Sequence, residues 1–256
     1  MQPKIIAVSG KGGVGKTSFL ALALKALLEW NSQDILVIDA DPDSNTPDVL
    51  GVDVRGDVGV IVNELKEKMS SFPPNFGKAE YLEYRVFDIL YEGDLFDLLV
   101  MGAPEREGCY CLVNNLLMKI MDTLVKNYSL VLMDLPAGLE HVSRRTSANV
   151  DVMFLVADPS KMGIQTASRI RDLAKVLHRE FKKVFLVVNK VTPGLEGVLK
   201  EYAAKFKLDY VGSIPVDGKL AEYNLMGKPL LDLPETSPAY LAVKEVLEKT
   251  LKPMIM

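Results

Sequence analysis

The chain has 256 residues, 48% hydrophobic and 25% charged, with a formal net charge of −4. That balance supports one sizeable core, and the acidic excess excludes a nucleic-acid carrier held by bulk charge, though not one with a local basic patch. No apolar run approaches the ~20 residues needed to cross a bilayer, and Met1-Gln2-Pro3-Lys4 leads directly into an apolar strand without the regions of a signal peptide. A soluble, cytoplasmic protein is expected, in which Cys109 and Cys111, the two cysteines, are thiols available for metal or redox work.

Ile5-Ile6-Ala7-Val8 reads as a buried strand and Ser18–Trp30 as a helix with one apolar face. Between them stands Gly10-Lys11-Gly12-Gly13-Val14-Gly15-Lys16-Thr17, the complete Gly-x4-Gly-Lys-Thr spacing of a phosphate-binding loop in the strand–loop–helix context it requires. Glycines let successive backbone N–H groups turn toward phosphate oxygens, and the helix N-terminus adds its positive dipole end. Gly10, Lys11, Gly12, Gly13, Val14, Gly15, Lys16, Thr17 and Ser18 are therefore expected to bind ATP or ADP. Lys16 is expected at the β- and γ-phosphates and the Thr17 hydroxyl on magnesium.

Ile35–Ile38 is a second strand, delivering Asp39-Ala40-Asp41-Pro42-Asp43-Ser44-Asn45 at its carboxyl end. A helix is expected near 58–69, a loop over 70–77 around Pro73-Pro74, a short strand over 84–91 and a stronger one over 96–101. Glu105–Gly108 is a polar turn presenting Cys109-Tyr110-Cys111, and Leu112–Lys126 is helical, with Met118 and Met121 filling core gaps. Strands over 130–133, 152–156, 184–188 and 210–212 end at Asp134, Asp158-Pro159-Ser160, Asn189-Lys190 and Ser213-Ile214-Pro215. Helices fill the intervals, including Ile164–His178, Leu195–Phe206 and Pro238–Lys252, which Pro253 stops. Alternating strands and amphipathic helices from end to end predict an α/β fold, a mostly parallel sheet with helices on both faces and one domain over 1–256.

Several polar clusters fall at strand carboxyl ends, where open α/β sheets bind ligands. Asp39 and Asp134 are there to hold the magnesium shell, one of them through water. Asn189-Lys190-Val191-Thr192 lacks the carboxylate that a guanine site of the Asn-Lys-x-Asp kind uses, so ATP is preferred to GTP, with Asn189 and Lys190 near the purine. Two thiolates one residue apart, Cys109 and Cys111, fill half of a tetrahedral site. A two-fold dimer with the motif at its interface supplies the other half. The alternative reading is two small buried residues without chemistry.

The loop GKGGVGKT resembles the deviant Walker A of the MinD/ParA/nitrogenase-iron-protein group of P-loop ATPases, with Asp39-Ala40-Asp41-Pro42 similar to its switch I and Asp134-Leu135-Pro136-Ala137-Gly138 to its switch II. The resemblance implies an ATP-gated homodimer in which Lys11 crosses to the partner's nucleotide, although a solvated loop lysine is the plainer alternative. It also implies that Asp41 orients or deprotonates the attacking water, making Lys11, Lys16 and Asp41 the catalytic set. The loop matching Ser213-Ile214-Pro215-Val216-Asp217 flanks adenine in such ATPases, which implies roles for Ile214, Pro215, Val216 and Asp217.

Adding Gly108-Cys109-Tyr110-Cys111 and the segment DLPAGLEHVSRRT (134–146), the sequence resembles the CooC-type nickel-insertion ATPases over nearly its whole length. That likeness implies nickel or zinc on the paired Cys109 and Cys111 of a dimer. It implies a client nickel enzyme, carbon monoxide dehydrogenase or acetyl-CoA synthase; the acidic total and the lack of a basic terminal helix lead to the expectation of no nucleic-acid or membrane partner. Leu135-Pro136 departs from the family's usual Gly-Ala-Gly and is as close to MinD-type switch II. His141 beside Glu140 is expected to cap or pack a helix. Two other readings stand beside this one. A positioning ATPase acting on membrane or DNA would carry a basic terminal helix, but Glu245 and Glu248 offset Lys244, Lys249 and Lys252, so docking on the core is expected instead. An iron–sulfur electron-transfer ATPase would carry cysteines far apart in sequence.

Overall fold

The computed structural model describes residues 3–30, 32–68, 77–102, 111–137, 150–176 and 181–255. The first half of the chain runs β1 (Lys4–Gly10), α1 (Lys16–Glu29), β2 (Ile35–Asp39), α2 (Thr46–Leu50), α3 (Val58–Lys68), α4 (Lys78–Ile89), β3 (Tyr91–Glu92), β4 (Asp97–Val100), α5 (Cys111–Val125) and β5 (Leu130–Asp134). The second half runs β6 (Val150–Ala157), α6 (Lys161–Val176), β7 (Phe181–Val191), α7 (Glu196–Lys205), β8 (Asp209–Pro215), α8 (Gly218–Met226), a 3-10 turn at Leu230–Asp232, α9 (Pro238–Thr250) and α10 (Lys252–Ile255).

The strands form one eight-stranded sheet in the order β3-β4-β2-β5-β1-β6-β7-β8. Every pairing is parallel except β3 with β4 at the edge. The period of two along the strands divides the core between the sheet's faces. Ile5 and Ala7 point into a cluster with α3, α4, α5, α6 and α7, while Ile6 and Val8 point into one with α1 and α9. The central strands are buried on both faces, which is why they read as unbroken apolar runs. This is the single-domain α/β sheet with helices on both faces that the sequence predicts.

Two expected elements differ. The strand expected over 84–91 is mostly the end of α4, leaving only Tyr91–Glu92 extended. Leu82, Val86 and Ile89 recur at helical spacing and are buried together, whereas Tyr84 and Phe87 stay exposed. Pro253 does not end the last helix: the chain breaks at Leu251, and α10 begins with Pro253 in its first turn, where a missing N–H costs nothing. The expected docking of the terminal helix is observed, with Ala239, Tyr240, Val243, Val246 and Leu247 of α9 buried. Met121 fills the core under α5, as expected, and Met118 is half-buried. The loop expected over 70–77 falls outside the described residues except for Gly77.

Candidate functional site

The carboxyl edge of the sheet collects the site. β1 runs into the glycine loop, and α1 starts immediately after it. Gly15 precedes α1 with φ 93° and ψ 33°, a left-handed conformation, and a Cβ there would lie 2.3 Å from Asn189 Nδ2. Both the backbone and the space admit only glycine. Asn189, at the end of β7, is buried and donates from Nδ2 to Val14 O at 2.8 Å. The next residue, Lys190, has φ 61° where the β7–β8 register shifts. Its backbone N–H donates to Asn189 Oδ1 at 2.8 Å and its Nζ donates to Gly13 O at 3.1 Å. The end of β7 thus braces the loop from the side opposite the aspartates. Lys11 is exposed and does not line its own chain's cleft.

Asp39 and Asp134 are direct partners in the β2–β5 register, both without solvent exposure. Thr17 Oγ1 donates to Asp134 Oδ2 at 2.6 Å, and the buried Asp134 Oδ1 has no hydrogen-bond partner among the described residues. Burial pushes the Asp134 carboxyl up to about 7; the Thr17 bond opposes this and the neighbouring Asp39 charge adds to it. Burial raises Asp39 as well, against hydrogen bonds from the turn that follows it. Asp39 Oδ1 accepts from Asp41 N at 3.1 Å and its Oδ2 from Thr46 N at 3.0 Å, so this carboxylate fixes both ends of the 41–46 turn. Asp41 turns toward the loop, with Oδ2 3.2 Å from Lys16 Nζ.

An unpartnered carboxylate oxygen beside the Thr17 hydroxyl fits a magnesium ion, which keeps several waters and needs few protein oxygens. Among the described residues no group of three or more His, Cys, Asp or Glu side chains converges into a metal cage. Cys109 lies outside the described residues. Cys111 opens α5, with its side chain outside them, and residues 138–149, including Glu140 and His141, are outside them as well.

Between these groups lies a cleft of about 600 Å³. Gly12, Gly13, Gly15, Lys16, Thr17 and Ser18 form its floor, Asp41, Asp43 and Asn45 one wall, and Asn189, Lys190, Pro215, Val216 and Asp217 the other. Gly10 ends β1, paired with Val156. Ile214 is 2% exposed and packs in the core under α1, not in the cleft. Asp217 borders the cleft, but both of its oxygens are engaged. Oδ1 accepts from Lys219 N and Leu220 N at the start of α8, and Oδ2 from Ser237 Oγ and Ala239 N at the start of α9.

The family description "CobQ/CobB/MinD/ParA nucleotide binding domain" matches residues 5–230. The chain belongs to that family. It is a P-loop ATPase. It is 50% identical over 247 residues to an uncharacterized ATP-binding protein of Methanocaldococcus jannaschii, covering 96% of this chain and 97% of that one. It is 32% identical over 251 residues to the carbon monoxide dehydrogenase accessory protein CooC of Rhodospirillum rubrum, covering 91% and 90%. Its fold matches the cell division ATPase MinD of Pyrococcus furiosus with a TM-score of 0.70 at 20% identity, over 99% of this chain and 100% of that one.

Two features of this ATPase were not read from its sequence. One is α8, whose Leu220, Ala221 and Asn224 complete the wall beyond Pro215. Its signal was present: Asp217 is an N-cap residue and Gly227, in the left-handed conformation, closes the helix. The other is the Lys16–Asp41 ion pair, which no spacing rule announces.

Proposed function

We propose that this ATPase is a nucleotide-switched metallochaperone. ATP draws two copies together, with Lys11 of each reaching the partner's nucleotide. Cys109 and Cys111 of both chains then hold one nickel or zinc ion as cargo, and hydrolysis hands it to a client nickel enzyme of the carbon monoxide dehydrogenase or acetyl-CoA synthase class. In each chain the loop amides and Lys16 hold the phosphates. Thr17 and Asp134 would hold magnesium directly, and Asp39 through water, to neutralise phosphate charge. Asp41 orients the attacking water. Asn189, Lys190, Pro215, Val216 and α8 border the adenine.

The observation that carries this reading is the Cys109-Tyr110-Cys111 motif ahead of α5. The chain leaves β4 at the carboxyl edge that also carries the nucleotide cleft, and Cys111 is the first residue of α5. The 32% identity to a CooC protein over nine-tenths of both chains supports the same reading. The packing of α9 against the core weighs against using that helix as a membrane anchor.

Metal content tests it. Reduced, anaerobic protein with a non-hydrolysable ATP analogue is titrated with Ni(II) and with Zn(II), beside Cys109→Ser/Cys111→Ser. One ion per two chains, lost in the double variant, is the expected result. Equal uptake by both proteins, or none by either, overturns the metal reading and leaves the ATPase.

A further inference from the structure

The ion pair between Lys16 and Asp41 links two residues with separate tasks. Lys16 is the loop lysine that phosphates require, and Asp41 is the acid that follows β2. Their charged atoms are 3.2 Å apart, with side chains 8% and 17% exposed. A cation this far withdrawn from water needs a counter-charge, and removing one partner from a buried pair is costly. Asp41 supplies that counter-charge.

We propose that Asp41 is a latch on the phosphate site: its carboxylate occupies Lys16 as a stand-in for phosphate, and nucleotide binds by displacing it. An ammonium has three donors, so geometry alone would let carboxylate and phosphate share it. Their like charges in one sheltered cleft would not, because two anions held against one ammonium repel strongly at low dielectric.

The backbone around Asp41 is built for a side-chain exchange and not a loop movement. Asp41 N and Thr46 N both donate to Asp39, and Ser44 N donates to Asp41 O at 3.0 Å, so the turn stays anchored while the carboxylate swings. Apart from its pair with Lys16, the Asp41 side chain has one hydrogen bond among the described residues, Oδ1 accepting from Asp43 N at 3.3 Å. The inference rests on the loop being a phosphate cradle and is independent of the metal reading. It assigns Asp41 an inhibitory role in binding beside its expected role in hydrolysis.

The test is ADP affinity by calorimetry in EDTA, which removes magnesium and the γ-phosphate from the comparison. Wild type is measured beside Asp41→Asn, which keeps the Oδ1 acceptor for Asp43 N and removes the charge. Asp43→Asn is the control, because Asp43 also lines the cleft but makes no ion pair with Lys16. Asp41→Asn is expected to bind ADP about tenfold more tightly, the scale of one charge-assisted hydrogen bond no longer broken on binding. Asp43→Asn should shift affinity by less than about twofold, as exposed charges do.

Equal gains in both variants would mean general repulsion and overturn the latch, as would unchanged or weaker binding in Asp41→Asn. Absence of ADP binding in every protein, wild type included, overturns the phosphate-cradle reading and the latch with it. Hydrogen exchange on the wild type gives a readout that needs no variant to fold. ADP in EDTA should speed exchange at the Asp43 amide, which loses its Asp41 acceptor, and slower or unchanged exchange there contradicts the displacement.

Discussion

Asp134 has no exposure, a neighbouring carboxylate in register and one oxygen without a donor. With its carboxyl pushed up to about 7 from an ordinary 3.8, the folded protein binds more protons than the unfolded chain between about pH 4 and pH 7. Stability therefore falls as pH rises through that window, and the penalty is complete above about 7. Asp134→Asn removes it while keeping an acceptor for Thr17. In EDTA and without nucleotide, the variant should melt at least about 3 °C above wild type at pH 8, the shift expected of roughly 1 kcal/mol in a chain this size. The advantage should shrink toward zero by pH 5. A constant difference across that range would contradict the buried charge as its source. Magnesium should narrow the gap at pH 8 by stabilising only the wild type.

Elements explain what was legible and what was not. The strands over 35–38, 130–133 and 152–156 stand out because both faces are buried, so apolar residues run without interruption and the polar residue at each end marks the functional edge. Asp39 and Asp134 were found that way, and Asn189 by the same signal at the end of the apolar run 184–188. α8 was missed because none of its residues is buried, so no apolar period marks it. It is held at its N-terminus by Asp217 and by the partly buried Leu220 and Tyr223. Four hydrogen bonds outweigh the upward pull of burial and keep that carboxyl below its usual range. Its stabilising effect is thus present above about pH 4 and lost as pH falls through its depressed value. Asp217→Ala should cost about 2–3 kcal/mol at pH 7, a cap plus buried charge-assisted bonds. With adenine placed beside α8 as proposed, it should also weaken adenine nucleotides more than pyrophosphate. Equal weakening of both would mean general unfolding of the cleft.

At the scale of the whole molecule, one edge of one sheet gathers the loop after β1, the acids of β2 and β5, and the walls after β7 and β8. Strand order cannot be read from strand existence. The sequence therefore predicts a shared edge but not that Asn189 braces the loop while Asp39 and Asp134 face it from the other side. A second connection runs behind the cleft. Gly51, just after α2, has φ 71°, and a Cβ there would lie 2.3 Å from Pro229 Cγ. α2 follows the turn that Asp39 fixes, and Pro229 follows α8. The turn beside the phosphate loop and the segment after α8 thus meet at this contact, in addition to the bracing of the loop by Asn189 and Lys190. Pyrophosphate and adenosine should then bind cooperatively to the wild type, each improving the other about fivefold. Gly51→Ala, which forces Pro229 away, should make the two bind additively in a calorimetric titration of one against saturating amounts of the other. Cooperativity of this kind would mean that ATP is taken as one object, with fragments that satisfy either end alone discounted.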